Sequence, residues 1–265
     1  MRLRGGQGLS IVFLVTVALV AAGALMAMAP DKSRPPNALW WVVRDLCVTD
    51  QRLLGIPAPC MDVNLRQGWA LVKDTRAPTH LLLVPTRRIS GIESPALLAP
   101  DAPNYWQFAW SARPFLGRLA GRPVPRQDIA LVINSIPGRT QNQLHIHMDC
   151  VQPGIAKTLN DHLGQIDQTW RPLPVRLGGH DVLVRRLDGA QFGDHDPFKL
   201  LAAGVPGARS SMGQEALGAV GAVFPPGRPG FILITHPFPP EAEDLGAGEE
   251  ILDHRCEVLS AAKAG

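Results

Sequence analysis

Gln143-Leu144-His145-Ile146-His147-Met148 alternates polar and apolar side chains without a break. In an extended strand successive side chains point to opposite faces, so Gln143, His145 and His147 share one face. Leu144, Ile146 and Met148 share the other and can bury against a core. Same-face neighbours along a strand sit ~6.6 Å apart. A polar row on such a strand is costly to bury without partners, so it is expected to line a cleft. Imidazole gains and loses its charge near neutral pH, which suits nucleophilic attack and proton transfer. This strand is the candidate reaction centre.

The neighbouring segments suggest a sheet around it. Residues 68–74 and 80–85 are apolar runs separated by a turn, which predicts a hairpin. Residues 104–119 carry Trp106, Trp110 and Leu116 at helical spacing, with a kink expected at Pro114. Residues 129–134 read as a strand and 136–142 as a Pro/Gly loop leading into the histidine strand, 143–150. The second half reads as helix over 155–170, extended over 181–187, helix over 197–203, strands over 219–224 and 231–235, and helix over 247–259. It loosely echoes the first half, as a degenerate internal repeat closing an intrachain pseudo-dimer would; a homodimer is the other arrangement considered.

With 265 residues, 46% of them hydrophobic and 18% charged, the chain can bury a sizeable core. A net charge of +3 and the lack of a basic stripe interleaved with aromatics argue against nucleic-acid binding. Residues 9–29 form an uncharged run long enough to cross a bilayer as a helix. Ala27-Met28-Ala29 fits a small-x-small cleavage pattern, but Pro30 would follow the cut directly, so an uncleaved signal-anchor is expected. Arg2 and Arg4 before the span balance Lys32 and Arg34 after it, and the short N-terminus ahead of a large domain places that domain outside the cytoplasm. Residues 38–47 predict a short amphipathic helix, whose Trp40-Trp41 suits either a membrane interface or a core. Cys47, Cys60, Cys150 and Cys256 follow no C-x-x-C metal spacing. Three pairings are open to them in an oxidising compartment; Cys47–Cys60 would close a Pro-containing loop, leaving Cys150 to Cys256. Four reduced, buried thiols are the alternative.

These residues resemble the histidine-triad superfamily of nucleotidyl hydrolases and transferases, whose signature is His-φ-His-φ-His-φφ on a strand. Thr79-His80-Leu81-Leu82-Leu83-Val84-Pro85-Thr86-Arg87-Arg88-Ile89-Ser90 looks like the superfamily's early strand ending in Pro and a basic pair. Ile133-Asn134 and Gly138-Arg139-Thr140 resemble its Asn strand and phosphate-facing loop. Within that superfamily the chain is similar to the bacterial CDP-diacylglycerol pyrophosphatase family, through Leu-Val-Lys-Asp, Pro-Thr-x-Arg-Ile, Gly-Ile-Glu-Ser-Pro, Gly-Arg-Thr-Gln-Asn and His-Ile-His. The four-cysteine layout and N-terminal anchor suit it as well. Gln143 departs from the triad: it can hydrogen-bond but cannot titrate. A register shifted to His145, His147 and Asp149 is rejected, because an anionic Asp149 would repel a phosphate.

The resemblance implies an α+β fold, a histidine-triad-like antiparallel sheet with packed helices preceded by one N-terminal transmembrane helix. The expected divisions are a tail (1–8), the anchor (9–29), a connecting segment (30–64), the triad-like core (65–152) and an α+β extension (153–265). It implies a single-pass protein of the bacterial inner membrane with a periplasmic domain, acting on CDP-diacylglycerol at the bilayer. His145 would be the nucleophile, with Gln143 beside it and His147 donating to a phosphate oxygen. Asn134, Thr140, Arg139 and Lys73 would contact the phosphates. No cofactor or metal is called for; the alternative of a zinc pair at His145 and His147 needs a third ligand from His180, His195, His236 or His254. His80 reads as structural.

Overall fold

The computed structural model describes residues 35–237 and 248–261, and from Pro36 onward they belong to one compact unit. The span expected over 9–29 lies outside the described residues; among those described, no helix is long and apolar enough to cross a membrane.

The centre is one antiparallel sheet. In chain order its strands are β1 (Asp62–Asn64), β2 (Trp69–Lys73), β3 (Leu81–Pro85), β4 (Ile129–Ile133), β5 (Ile146–Val151), β6 (Arg171–Pro172), β7 (Leu183–Asp188), β8 (Glu215–Phe224), β9 (Arg228–Pro237) and β10 (Leu252–Asp253). Their spatial order is β1-β2-β3-β5-β4-β8-β9-β7-β6, with β10 added to β5. β2, β3, β4, β5 and β6, β7, β8, β9 therefore occupy mirrored places about the β4–β8 seam. Helical segments separate the second and third strands of each set: α2 (Tyr105–Ser111) and α3 (Arg113–Leu119) in the first, α5 (Pro197–Gly204) and α6 (Ala208–Ser211) in the second. A single cross-strand row passes through the seam, Leu82–His147–Val132–Gly218–Ile234–Val184.

The two faces of the sheet are covered differently. One carries the main core, where Trp106, Trp110 and Leu116 of α2–α3 and Phe198 and Leu201 of α5 pack on Leu131, Ile146, Met148 and Phe231. The kink expected at Pro114 is a break at Ala112 between α2 and α3. Pro114 offers no N–H to Trp110 O, and the Arg113 guanidinium donates to that carbonyl instead, at 2.8 Å. The other face is covered by two separate layers. Over β1–β3 lies α1, a run of Ala38–Trp41, a wide π-turned Val42–Cys47 and Val48–Leu54. Over β4, β8 and β9 lies α4 (Pro153–Asp161) with the chain around Leu173–Val184. The histidine row emerges between these layers.

Several expected boundaries move. The histidine strand begins at Ile146 rather than 143. The helix expected over 155–170 ends at Asp161, since the following chain must carry Trp170 to α5, where its indole donates to Leu200 O at 3.0 Å. Among the described residues, no helix runs from 248 to 259. A short turn, Gly248–Ile251, leads into β10 on β5, and Cys256 is held to Cys150 by a disulfide, so sheet pairing and the cross-link override helical pattern. A second disulfide joins Cys47 to Cys60.

Candidate active site

His145 and His147 project from the face left open between the two layers, with ring centroids 4.7 Å apart. The His145 Nδ1 lies 2.6 Å from the Gln143 carbonyl. A carbonyl only accepts, so Nδ1 carries the proton and Nε2 keeps its lone pair. Burial pushes the His145 pKa below its ordinary value, outweighing the Gln143 bond that raises it. The ring is thus neutral and of fixed tautomer, with a lone pair at Nε2. The Gln143 side chain turns away from the histidines, donating to Pro85 O (3.1 Å) and Arg87 O (3.0 Å) and fastening the turn after β3. What it offers His145 is its backbone carbonyl, because Gln143 precedes the strand and does not obey its alternation.

His147 is tied into a group that the local sequence did not single out. Its Nδ1 meets His80 Nε2 at 2.9 Å, and His80 Nδ1 lies 3.6 Å from the Asp74 carboxylate. His80, read from the sequence as structural, is thus bonded directly to His147. Burial and the neighbouring His147 lower the His80 pKa to about 3, and burial drives that of His147 well below its ordinary range. Burial alone would raise Asp74, but the hydrogen bonds of Arg76 hold it below the usual carboxylate range. His254 stacks 4.5 Å from His80 and bonds Asp149 at 2.8 Å, the interaction that raises its own pKa.

The opposite edge of His147 faces an anion position. Asn134 Nδ2 donates to Glu249 Oε1 at 2.7 Å, and His147 Nε2 faces the same oxygen at 3.4 Å. The two side chains expected to donate to a phosphate oxygen thus converge on one carboxylate oxygen. Two neutral rings carry two N–H protons for three contacts. With the His147 proton on Nε2 toward Glu249, His80 donates to His147 Nδ1, and its own Nδ1, 3.6 Å from Asp74, is the one left without a proton. Nothing near Glu249 in sequence marks it; it reaches the site only because the Cys150–Cys256 link and β10 fold the C-terminal segment back.

The remaining expected contacts are placed otherwise. Lys73 lies on the face opposite the histidines, because β2 alternates and Ala70 and Val72 take the histidine side. Its ammonium donates to Asp74 O at 2.5 Å and to Ala77 O, closing the β2–β3 turn. The Arg139 guanidinium is paired with Glu93, at 2.9 Å for Nη2, rather than presented as an open clamp. A Cβ on Gly91 would fall 1.8 Å from Arg139 Nη1, so glycine makes room for that pair. Arg139 remains near enough for its charge to lower the His145 pKa. Thr140 is exposed, and its carbonyl accepts from Gln141 Nε2 at 3.2 Å.

Donor atoms of His80, Glu249 and His254 come within 4.8 Å of one another, the spacing of a metal set. His80 is already bonded through Nε2 to His147 and faces Asp74 through Nδ1, so ligation would cost one of those contacts. Asp149, Cys150 and Cys256 also cluster, but both sulfurs are in the disulfide. A hollow of about 440 Å³ near Thr79, Leu119 and Cys256 is bordered by α3, on the sheet face away from the histidines.

A family model described as CDP-diacylglycerol pyrophosphatase matches residues 34–260. The chain belongs to the CDP-diacylglycerol pyrophosphatase family. It is also 39% identical, over 246 residues, to a protein from Yersinia pestis named CDP-diacylglycerol pyrophosphatase, covering 93% of each chain. The match to the CDP-diacylglycerol pyrophosphatase family takes in His80, Asn134, His145, His147, Glu249 and His254, so the whole histidine cluster lies inside the shared region.

Proposed function

We propose that this chain is a hydrolase that splits the pyrophosphate of CDP-diacylglycerol into CMP and phosphatidate. Membership of the family and the 39% identical relative support the activity. The observation that carries the mechanism is a neutral His145 of fixed tautomer beside two side chains converging on one anionic oxygen. His145 Nε2 attacks the phosphorus bearing cytidine, an N–P bond forms, and the bond from that phosphorus to the bridging oxygen breaks. The electron pair leaves on phosphatidate. Water then attacks the cytidylyl-histidine, the N–P bond breaks, and CMP departs as His145 recovers its lone pair. Dividing the displacement in this way is the gain from a covalent nucleophile. Asn134 and the His147 Nε2–H stabilise the phosphoryl oxygens, as phosphoryl transfer requires. Arg139, held by Glu93, adds positive field, and His80 fixes the His147 tautomer.

On this reading the fold is histidine-triad-like, residues 65–152 are its catalytic half, and 153–265 form a degenerate second half of an intrachain pseudo-dimer. The mirrored strand order supports that relation. The apolar run at 9–29 anchors the chain in the inner membrane with the catalytic unit in the periplasm, where disulfides persist. Exposed Trp41, Leu53, Leu54 and Ile56, on and just after α1, suit contact with the bilayer surface.

Hydrolysis in ¹⁸O-water tests the scheme. The heavy oxygen is expected in CMP, and His145→Ala is expected to yield neither product. Label in phosphatidate would place attack at the other phosphorus and sink the scheme. Activity lost to EDTA and restored by zinc would make the histidines metal ligands instead.

A further inference from the structure

The palindromic row across the sheet locates a second hollow. In the first half His147 stands between Leu82 and Val132; in the second half Ile234 stands between Val184 and Gly218. Val132 and Gly218 pair across the seam, so the two halves of the row are related by a pseudo-dyad passing between them. Two residues before Leu82 is His80; two residues before Val184 is Val182. At the places where the first half has its bonded imidazoles, the second half has isoleucine and valine. Val182 and Ile234 line a cavity of about 300 Å³ together with aliphatic Val132, Leu177, Ala216 and Ile251 and with polar Gln152, His180, His236 and Glu250.

The cavity adjoins the reaction centre. Val132 belongs to both, as the cross-strand partner of His147 and as a wall of the cavity. Gly248–Ile251 separates them, presenting Glu249 to His147 and Ile251 to the cavity. Neighbouring strands lie ~4.8 Å apart, so His147 and Ile234 are ~14 Å apart across three strand spacings. On the far side of His147 the surroundings are charged, with Asp74 and Arg76. The two flanks of His147 therefore differ, an ion pair on one and a mainly aliphatic lining on the other, as do the two halves of CDP-diacylglycerol.

We propose that this cavity is the subsite for the diacylglycerol end of the substrate, seating its glycerol backbone and the first methylenes of an acyl chain; the proposal rests on the hydrolase reading above. A nucleoside carries donors and acceptors around its ring edges, and those set against Val132, Val182 and Ile234 would be left unpaired in a lining where aliphatic side chains outnumber polar ones. Ester-linked hydrocarbon loses nothing there and gains from leaving water. At about 300 Å³ the cavity sits at the small end of ligand pockets, so it takes a portion of the lipid and the rest of each chain extends outward. His180, paired with Glu250 at 3.1 Å, and His236 stand among its lining residues; an imidazole N–H can donate to an ester carbonyl, which a carboxylate cannot. The lost second catalytic site has thus become the leaving-group pocket of the one that remains.

The test measures calorimetric binding of dioctanoyl phosphatidate and of CMP to the full chain in detergent, with hydrolysis of CDP-dioctanoylglycerol alongside. Val182→Phe fills the cavity and Leu177→Ala loosens it. Thermal unfolding selects the variants that remain folded. Each folded variant is expected to weaken phosphatidate binding at least fivefold and to raise KM in step, with CMP affinity unchanged within twofold. Unchanged phosphatidate affinity in both variants, or CMP affinity falling equally, would overturn the subsite. A wild type that binds phosphatidate with the expected variant pattern but releases no CMP would leave the subsite standing and sink the hydrolase reading alone.

Discussion

His80, His145, His147 and His254 pack ring against ring, with centroid separations of 4.5 to 5.0 Å, and such a cluster cannot carry four charges. The structure divides the task. His254 takes the Asp149 carboxylate and has a raised pKa, whereas burial keeps the other three neutral. The acid limb of kcat/KM should therefore lie below pH 6.5, the ordinary histidine value, and a pH–rate profile with its midpoint above 6.5 would contradict a buried, neutral nucleophile. Stability follows the same linkage. The folded His80 pKa of about 3 lies below 6.5, so between those values the unfolded chain binds a proton that the folded chain refuses. Urea midpoints should fall as pH drops from 6.5 toward 3. His254 works in the other sense: its contribution is complete below 6.5 and is lost as pH rises through its raised value. His80→Ala leaves His147 Nδ1 buried without a partner, and kcat should drop by ~10–100-fold, less than the ~10²–10⁴ expected for an acid–base group itself. At this scale the sequence was legible where alternation holds. It marked His145 and His147, but could not show that the Gln143 side chain faces another turn, or that His80 meets His147, because that contact joins residues 67 apart.

Strand parity and the returning C-terminal segment decide which charges reach the site. Lys73 and Asp74 are adjacent, yet β2 sends them to opposite sides, and only Asp74 joins the histidines. Lys73→Met should lower the thermal midpoint by removing the ammonium from the β2–β3 turn while leaving kcat/KM within about twofold; a tenfold activity loss at full stability would return Lys73 to the phosphate. The turn Gly248–Ile251 brings Glu249 to the oxygen position shared by Asn134 and His147. An incoming phosphate must displace that carboxylate, since two like charges ~4 Å apart repel by several kcal/mol near a protein surface. Glu249→Gln is expected to lower KM roughly tenfold, ~1.4 kcal/mol of relieved competition, with kcat retained. A collapse of kcat would instead place Glu249 in the chemistry. The early strands, the broken α2–α3 helix and α5 could be read from apolar periodicity and proline. The segment after 247 could not, because its helical pattern is overruled by a disulfide and by pairing with β5.

Across the whole molecule, one sheet is shared by two halves of equal topology and unequal chemistry. The first half carries His80, His145 and His147; the second supplies Glu249 and His254 to the site and the mainly aliphatic walls of the cavity. The echo between halves was faint in sequence because the matching positions differ in character, His147 against Ile234 for instance, and only the ladder registers align them. The Cys150–Cys256 bond fastens this arrangement across 106 residues. Cys256→Ser should cost about 2–5 kcal/mol in urea unfolding. It should also release His254 and Glu249 from the cluster, visible as loss of activity in protein that is still folded. The same bond makes the assembly of the site depend on oxidation of two thiols. A newly made chain in a reducing cytoplasm carries its nucleophile but lacks the covalent tie that assembles the surroundings. Chains that differ only in the state of these two sulfurs would then differ in how much of the site they hold together, and activity followed through reduction and reoxidation reads that difference.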